Sequence, residues 1–266
     1  MAMKFLSRKL WISILFIPFM VVSCEMGGLG GGSEDSKKTD EPLSAGAVLV
    51  EGYECVDLGL SVKWATYNVG AYSEKDRGSY YAWGEIEEKT SYSRGAYIHS
   101  VQTADNDWFF TKYCTDHSYG FESFKDDKLV LDMEDDVVHV QWGGEWRMPS
   151  PEEQQELIDN CTWTWISAKD INGRDIYGFK VTSKKKGFTD RFIFLPTNGY
   201  KEDDRTFARS TYGNYWSNRL FNDGTTNRTE YAAILLIEGG EYAENEKVVL
   251  FGDNRERGLS VRAVHP

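Results

Sequence analysis

The segment Cys114-Thr115-Asp116-His117 places a thiol and an imidazole close together, the two groups from which a nucleophile and its general base are made. Catalytic pairs are set by distance in the fold, however, and no third group that would orient the imidazole can be picked out, so the segment reads as a loop. The remaining histidines, His99, His139 and His265, show no metal-ligand spacing. Acidic clusters at Asp126-Asp127, Asp135-Asp136 and Asp203-Asp204 raise the question of calcium, but none lies in an EF-hand loop and they read as solvated. There is no phosphate-binding glycine loop, nucleophile elbow or His-Glu-x-x-His run. A glycosidase needs two facing carboxylates, and among 42 acidic residues sequence singles out no pair. No catalytic residue, metal or cofactor is assigned, and a chain without enzymatic chemistry is expected.

One cysteine carries a sharper reading. Lys4, Arg8 and Lys9 precede an apolar run from Leu10 to Val22, interrupted by Pro18 and followed by Ser23 and Cys24. The run is shorter than the roughly 18 apolar residues a membrane-spanning helix needs, so residues 1–23 read as a signal peptide. Val21-Val22-Ser23-Cys24 resembles the lipobox of bacterial lipoproteins, in which the cysteine is acylated and becomes the new N-terminus. Cys24 is therefore the expected lipidation site and the contact with the membrane. Residues 24–47 follow as a flexible tether, rich in glycine and in Ser33, Glu34, Asp35 and Ser36, with almost nothing apolar to bury. Acidic residues after a lipidated cysteine resemble the surface-export signals of Bacteroidota lipoproteins, although Glu34 and Asp35 lie farther from Cys24 than such signals do. The expected location is the outer membrane of the cell envelope, facing outward.

From residue 48 to 266 the composition is even, with no further linker and no repeat, which implies one domain large enough for its own core. Without the signal peptide, 42 acidic residues face 27 basic ones, a net charge of about −15. The only basic run, Lys184-Lys185-Lys186, precedes Gly187 as a solvated turn would, so nucleic-acid binding is excluded. The three cysteines after Cys24, namely Cys55, Cys114 and Cys161, permit at most one intramolecular bridge.

The most definite local structure is a helix starting at Pro151. Ser150 and Glu153 have the spacing of a capping box, Pro151 suits the first helical position, and Leu157 and Ile158 face inward before Asn160 ends it. A second short helix is expected around residues 134–141. Strands are expected at 62–65, 80–83, 177–182, 191–195, 231–237, 247–251 and 260–264. The continuously apolar 232–237 reads as a central strand covered on both faces. Gly59-Leu60-Ser61-Val62-Lys63 and Gly258-Leu259-Ser260-Val261-Arg262 echo one another, as two termini paired in one sheet would. The fold class is α+β, dominated by short antiparallel strands with few helices and long aromatic loops.

Several segments, in order, carry a resemblance. These include Val56-Asp57-Leu58-Gly59-Leu60, Lys63-Trp64-Ala65-Thr66, Tyr81-Ala82-Trp83-Gly84-Glu85, Trp146-Arg147-Met148-Pro149-Ser150, Cys161-Thr162-Trp163-Thr164-Trp165, Phe194-Leu195-Pro196, Gly213-Asn214-Tyr215-Trp216-Ser217 and Gly258 to Val264. Together they resemble the Fibrobacter succinogenes major paralogous domain, found in secreted and lipid-anchored bacterial proteins. The Tyr-Trp-Ser and Ser-Val-Arg elements resemble those of C-type-lectin-like folds, the architecture this resemblance implies. The cysteine pair of formylglycine-generating enzymes, which share that fold, is missing, because no cysteine follows Cys161. The calcium-dependent sugar motifs of C-type lectins are absent too.

The resemblance fixes no activity, and aromatic content carries the functional expectation. Phe, Trp and Tyr make up 14% of the chain, and aromatic rings can stack on sugars as well as fill cores. The segment from Arg219 to Arg228 reads as a polar, aromatic loop in the region that C-type-lectin-like folds use for recognition. Tyr212, Arg219, Phe221, Asn222, Asp223 and Asn227 are the candidate binding residues. The expected partner is a glycan or a surface protein; a structural or pilus-tip subunit and a polysaccharide hydrolase are the alternatives.

Overall fold

Ser150 Oγ accepts the Glu153 N–H at 3.2 Å while Glu153 Oε2 accepts the Ser150 N–H at 2.8 Å, the reciprocal pair that starts a helix. The computed structural model, which describes residues 42–225, 227–240 and 246–266, shows that helix as α2, Pro151–Asn160. Leu157 and Gln154 are its fully buried positions, and Gln154 Nε2 donates to the carbonyls of Tyr215 and Trp216 at 3.2 and 3.3 Å. The preceding helix α1, Val137–Trp142, is capped by Asp136, whose carboxylate accepts from Val138, His139 and Met148 N–H groups.

Among the described residues fourteen strands accompany these helices, as the sequence pattern leads one to expect for a sheet-dominated α+β chain. In chain order they are β1 Ala47–Val50, β2 Tyr53–Val56, β3 Lys63–Asn68, β4 Ser100–Gln102, β5 Trp108–Phe110, β6 Cys161–Lys169 and β7 Asp175–Ser183. Then follow β8 Phe192–Pro196, β9 Tyr200–Glu202, β10 Arg205–Phe207, β11 Tyr212–Asn222, β12 Asn227–Glu238, β13 Lys247–Asn254 and β14 Arg262–His265. They form a four-stranded sheet β1-β2-β3-β14, three-stranded sheets β6-β7-β8 and β11-β12-β13, and the small pairs β4-β5 and β9-β10. The two echoing segments do lead into paired strands, since β14 lies antiparallel to β3 with Arg262 opposite Asn68. The apolar 232–237 run is in the middle strand of its sheet, and its residues are buried except for half-buried Leu236.

Among the described residues two large apolar clusters and two small ones fill the interior. One large cluster joins Trp83, Trp146 and Trp216 with Val137, Val138 and Ile234; the other joins Trp64, Leu157, Phe179, Leu195 and Leu235. The indole N–H of Trp216 donates to Tyr81 O and that of Trp83 to Ser217 O, both at 2.8 Å, so these rings bury area without orphaning a donor. Two arginines are buried as completely as any aromatic. Arg262 donates to Asn68 Oδ1, Ala65 O and Phe194 O at 2.8–3.0 Å, which ties β14 to β3 and β8, and desolvation pushes its pKa down to about 10. Arg255 donates to Tyr97 Oη and to the carbonyls of Tyr113, Thr229 and Lys112. Neither is hydrogen-bonded to a carboxylate among the described residues; oriented carbonyls and aromatic faces take that part.

The structure corrects the sequence reading at several places. Folded structure begins before residue 48: Leu43 is buried, its N–H and the Ser44 hydroxyl bind the Glu74 carboxylate, and Ala45 bridges to Phe192. Residues 80–83 form no strand beyond a single bridge from Tyr81 to Leu259, because Tyr80, Tyr81 and Trp83 are all turned into the core. The segment from Arg219 to Arg228 is not a loop. Arg219, Phe221 and Asn222 belong to β11 and Asn227 and Arg228 to β12, with residues 223–225 outside both strands. Cys55, Cys114 and Cys161 are buried free thiols, which agrees with the limit of at most one bridge and is no correction. Residues 1–41, with Cys24, lie outside the described residues.

Candidate ligand-binding cleft

β11 pairs with β12 in register from Tyr212 to Trp216, slips across Ser217–Arg219 to pair Leu220 with Ala232, and slips again before Phe221 pairs with Arg228. The first slip has a cause on the other edge. Asn218 O accepts the Leu131 N–H and the Leu220 N–H donates to Leu129 O, both at 2.8 Å, so β11 changes partners there. Such a bulge re-aims the side chains beyond it. Phe221 then lies across β13, and a Cβ on Gly252 would come within 2.5 Å of its ring. Its ring centroid is 6.2 Å from that of Phe251. Glycine at 252 is therefore what lets Phe221 cross the sheet.

The turn that follows is self-satisfied. Asn222 Oδ1 accepts the Gly224 N–H, and Asp223 Oδ1 accepts from the Thr225 N–H and hydroxyl, two successive side-chain-closed turns. Gly224 supplies the positive φ of +92°. Asp223 Oδ2 also accepts from Arg228 Nε at 2.8 Å, closing the hairpin.

Beside this hairpin run three connected hollows. The first, of about 350 Å³, is polar and is lined by Asp116, Tyr119, Asp127, Arg228, Thr229 and Glu230. The second, of about 400 Å³, shares Arg228 and Glu230 with it and adds Phe221, Asp223, Tyr231 and Phe251. The third, of about 440 Å³, shares Tyr231, Phe251 and Gly252 with the second and continues to Tyr200, Tyr212, Asn214, Asp253 and Arg257. Each has the size of an ordinary small-molecule site, and the three adjoin through shared lining residues; the cleft is their sum. Its middle is aromatic: Tyr231 is 37% and Phe251 54% exposed, and half-buried Phe221, tilted against Phe251, lines the same hollow.

Polar groups at the far end are fixed by one another. Asn214 Nδ2 donates to Asp253 Oδ2 at 3.0 Å, Asp253 Oδ1 pairs with Arg257 at 2.7 Å, and Arg257 reaches Glu202 at 3.2 Å while its guanidinium covers the Tyr200 ring at 4.9 Å. Two buried atoms in this set, Asn214 Oδ1 and Arg257 Nε, have no hydrogen-bond partner among the described residues, one an acceptor and one a donor. At the opposite end Tyr119 bonds to Glu230, which raises the phenol pKa, while hydrogen bonds from Ser118 hold Asp116 below the ordinary carboxylate value. Burial pushes the Asp136 carboxyl up, but its oxygens cap α1 and hold the Met148 N–H.

Of the residues singled out from sequence, the cleft gathers Tyr212, Phe221 and Asp223. Arg219 is engaged elsewhere, with Glu152 of α2, and Asn222 closes the turn. The side chain of Asn227 lies outside the described residues. Sequence reasoning missed Asn214, Tyr231, Phe251, Asp253 and Arg257. The available signal was the run of polar and aromatic residues at the ends of the two strands flanking 232–237. The Cys114 and His117 pair separates chemically: the Cys114 thiol donates to Asp116 O, burial raises its pKa, and His117 Nδ1 is bonded to Ser123 O. The acidic clusters resolve into local structural roles, Asp126 accepting the Tyr113 and Cys114 N–H groups and Asp136 capping α1. Among the described residues no group of three or more His, Cys, Asp or Glu side chains is placed to hold a metal ion. Comparison of the chain with family models, with characterised proteins and with solved structures returned no match.

Proposed function

We propose that this chain is a lipid-anchored protein of the outer membrane whose C-type-lectin-like domain binds a glycan in the cleft along β12, without chemistry. The observation that carries the reading is that exposed Tyr231 and Phe251 and half-buried Phe221 line one hollow, flanked on both sides by fixed hydrogen-bonding groups. Apolar sugar faces stack on such rings, and hydroxyls exchange with such polar groups. The lectin-like architecture is supported by the antiparallel pairing of β3 with β14 and by the Tyr-Trp-Ser and Ser-Val-Arg elements lying side by side, where Tyr215 bridges to Ser260 and Trp216 N–H donates to Ser260 O at 3.1 Å. Anchoring through Cys24 rests on the lipobox-like sequence.

The test is a glycan array probed with the chain from residue 24 onward. Truncation of either Tyr231 or Phe251 to Ala costs roughly 1–3 kcal/mol of binding, a factor of about 5 to 150. Wild-type protein that binds no glycan refutes the reading. Palmitate labelling of the full chain checks the anchor, since Cys24→Ser removes the acceptor thiol.

One observation favours the assembly alternative. β13 is the outer strand of its sheet and eight residues long, a template for strand addition from another subunit. That reading requires a stable complex that a proline at Val249 abolishes.

A further inference from the structure

We infer that the cleft takes an internal stretch of an uncharged polysaccharide, gripping several sugar units at once, and that it discriminates against acidic glycans; this rests on the glycan-binding reading above. Length comes first. The three hollows are joined through shared walls, Arg228 and Glu230 between the first and second, Tyr231, Phe251 and Gly252 between the second and third. Along β12 they extend from Arg228 to Leu236, a run shorter than the roughly 27 Å of a regular strand because the register slips between Arg228 and Ala232. Each hollow alone has the volume of a small-ligand site, so a ligand filling all three is an oligomer.

Charge comes second. The carboxylates along the cleft are Asp116, Asp127, Asp223, Glu230 and Asp253, and the cations are Arg228 and Arg257. Both cations are already paired inside the protein, Arg228 with Asp223 at 2.8 Å and Arg257 with Asp253 and Glu202. A uronate or sulfate would have to break one of these pairs or lie beside carboxylates, in a chain that is strongly acidic as a whole, net −12. Sugar hydroxyls meet neither obstacle. They can donate to the Asp223 and Glu230 carboxylates that line the second hollow. The central rings supply stacking that is indifferent to charge.

The experiment uses the mature chain with three kinds of probe: neutral glucans, mannans and galactans; polygalacturonate; and the oligosaccharides of whichever neutral polymer binds, from the disaccharide upward. Expected are binding of a neutral polymer, affinity rising at least about tenfold from the disaccharide to the polymer as successive hollows fill, and no retention of polygalacturonate at physiological salt. A second variant reads the charge argument directly. Asp127→Asn combined with Glu230→Gln raises polygalacturonate binding relative to the neutral polymer while leaving the aromatic rings in place. Affinity that is the same for disaccharide and polymer overturns the extended site while leaving the glycan reading intact. Polygalacturonate bound as tightly as any neutral polymer overturns the charge argument with the same consequence. Failure of every polymer and oligosaccharide to bind overturns both readings.

Discussion

Replacing Arg255 by Lys keeps the charge and removes the geometry, which makes it the sharpest test of how the wall of the cleft is held. The Arg255 guanidinium is wholly buried and places four donors at once: 3.0 Å to Tyr97 Oη, 3.1 Å to Tyr113 O, 3.0 Å to Thr229 O and 2.9 Å to Lys112 O. It also lies 4.3 Å from the Phe110 ring centre and 5.0 Å from that of Trp83. A lysine ammonium is a shorter-reaching point charge with no planar fork, so it can serve about two of these acceptors. Each buried acceptor left without a donor costs about 1–3 kcal/mol, and part of the ring attraction is lost as well. The sum is about 3–5 kcal/mol, which for a domain of this size lowers the melting temperature by roughly 6–20 °C. Scanning calorimetry measures it. A melting temperature within about 3 °C of wild type means that the fork is not what holds Thr229 and Tyr113 together, and the reasoning fails.

Three further outcomes follow from burial. Trp216→Ala removes a fully buried indole whose N–H is satisfied by Tyr81 O, so it should destabilise by about 3–5 kcal/mol in urea titrations, whereas Phe251→Ala, more than half exposed, should stay within about 1 kcal/mol. His99 is buried with Nε2 donating to Gly84 O at 2.9 Å, and desolvation pushes its pKa below the ordinary value. The unfolded chain therefore takes up that proton first, and stability is lost as pH falls through about 6.5; a His99→Gln variant should show a shallower acid-side slope of melting temperature. Burial raises the pKa of Cys55, Cys114 and Cys161, that of Cys161 to about 12, so a thiol reagent should react slowly with the native domain and with all three in denaturant; a disulfide found by mass spectrometry contradicts this.

What sequence could show depended on how local the determining physics is. The capping box of α2 lies within four residues, and its hydrogen bonds are present as expected. The apolar run of β12 likewise reports burial directly, while in β7 the alternation holds for Phe179 and Val181 but fails at Tyr177, which is half-buried beside buried Ile176 and Gly178. The strand β11 was harder to read as a whole because its pattern serves two partners, β12 up to Trp216 and the 129–131 segment after it, so Asn218 and Arg219 break the alternation. That is why its second half reads as loop. The cleft was legible in part. Phe221 and Tyr212 stand out as aromatics among polar residues, but Phe251 and Asp253 come from another strand, and only the sheet register and Gly252 bring them beside Phe221. Arg255 sits in a charged run, Arg255-Glu256-Arg257, and nothing in that run distinguishes the wholly buried arginine from the paired one two residues on.

The central claim is that the rings along β12 and β13 form a glycan-binding surface, and the substitution that tests it most directly adds a single methyl group. Gly252→Ala places a Cβ within 2.5 Å of the Phe221 ring and displaces that ring. Isothermal titration of the mature chain with a glycan identified on the array should show affinity reduced by roughly 5- to 150-fold, matching Phe221→Ala, with the two changes non-additive when combined. Full affinity in Gly252→Ala and Phe221→Ala alike, in protein that remains folded, contradicts the account.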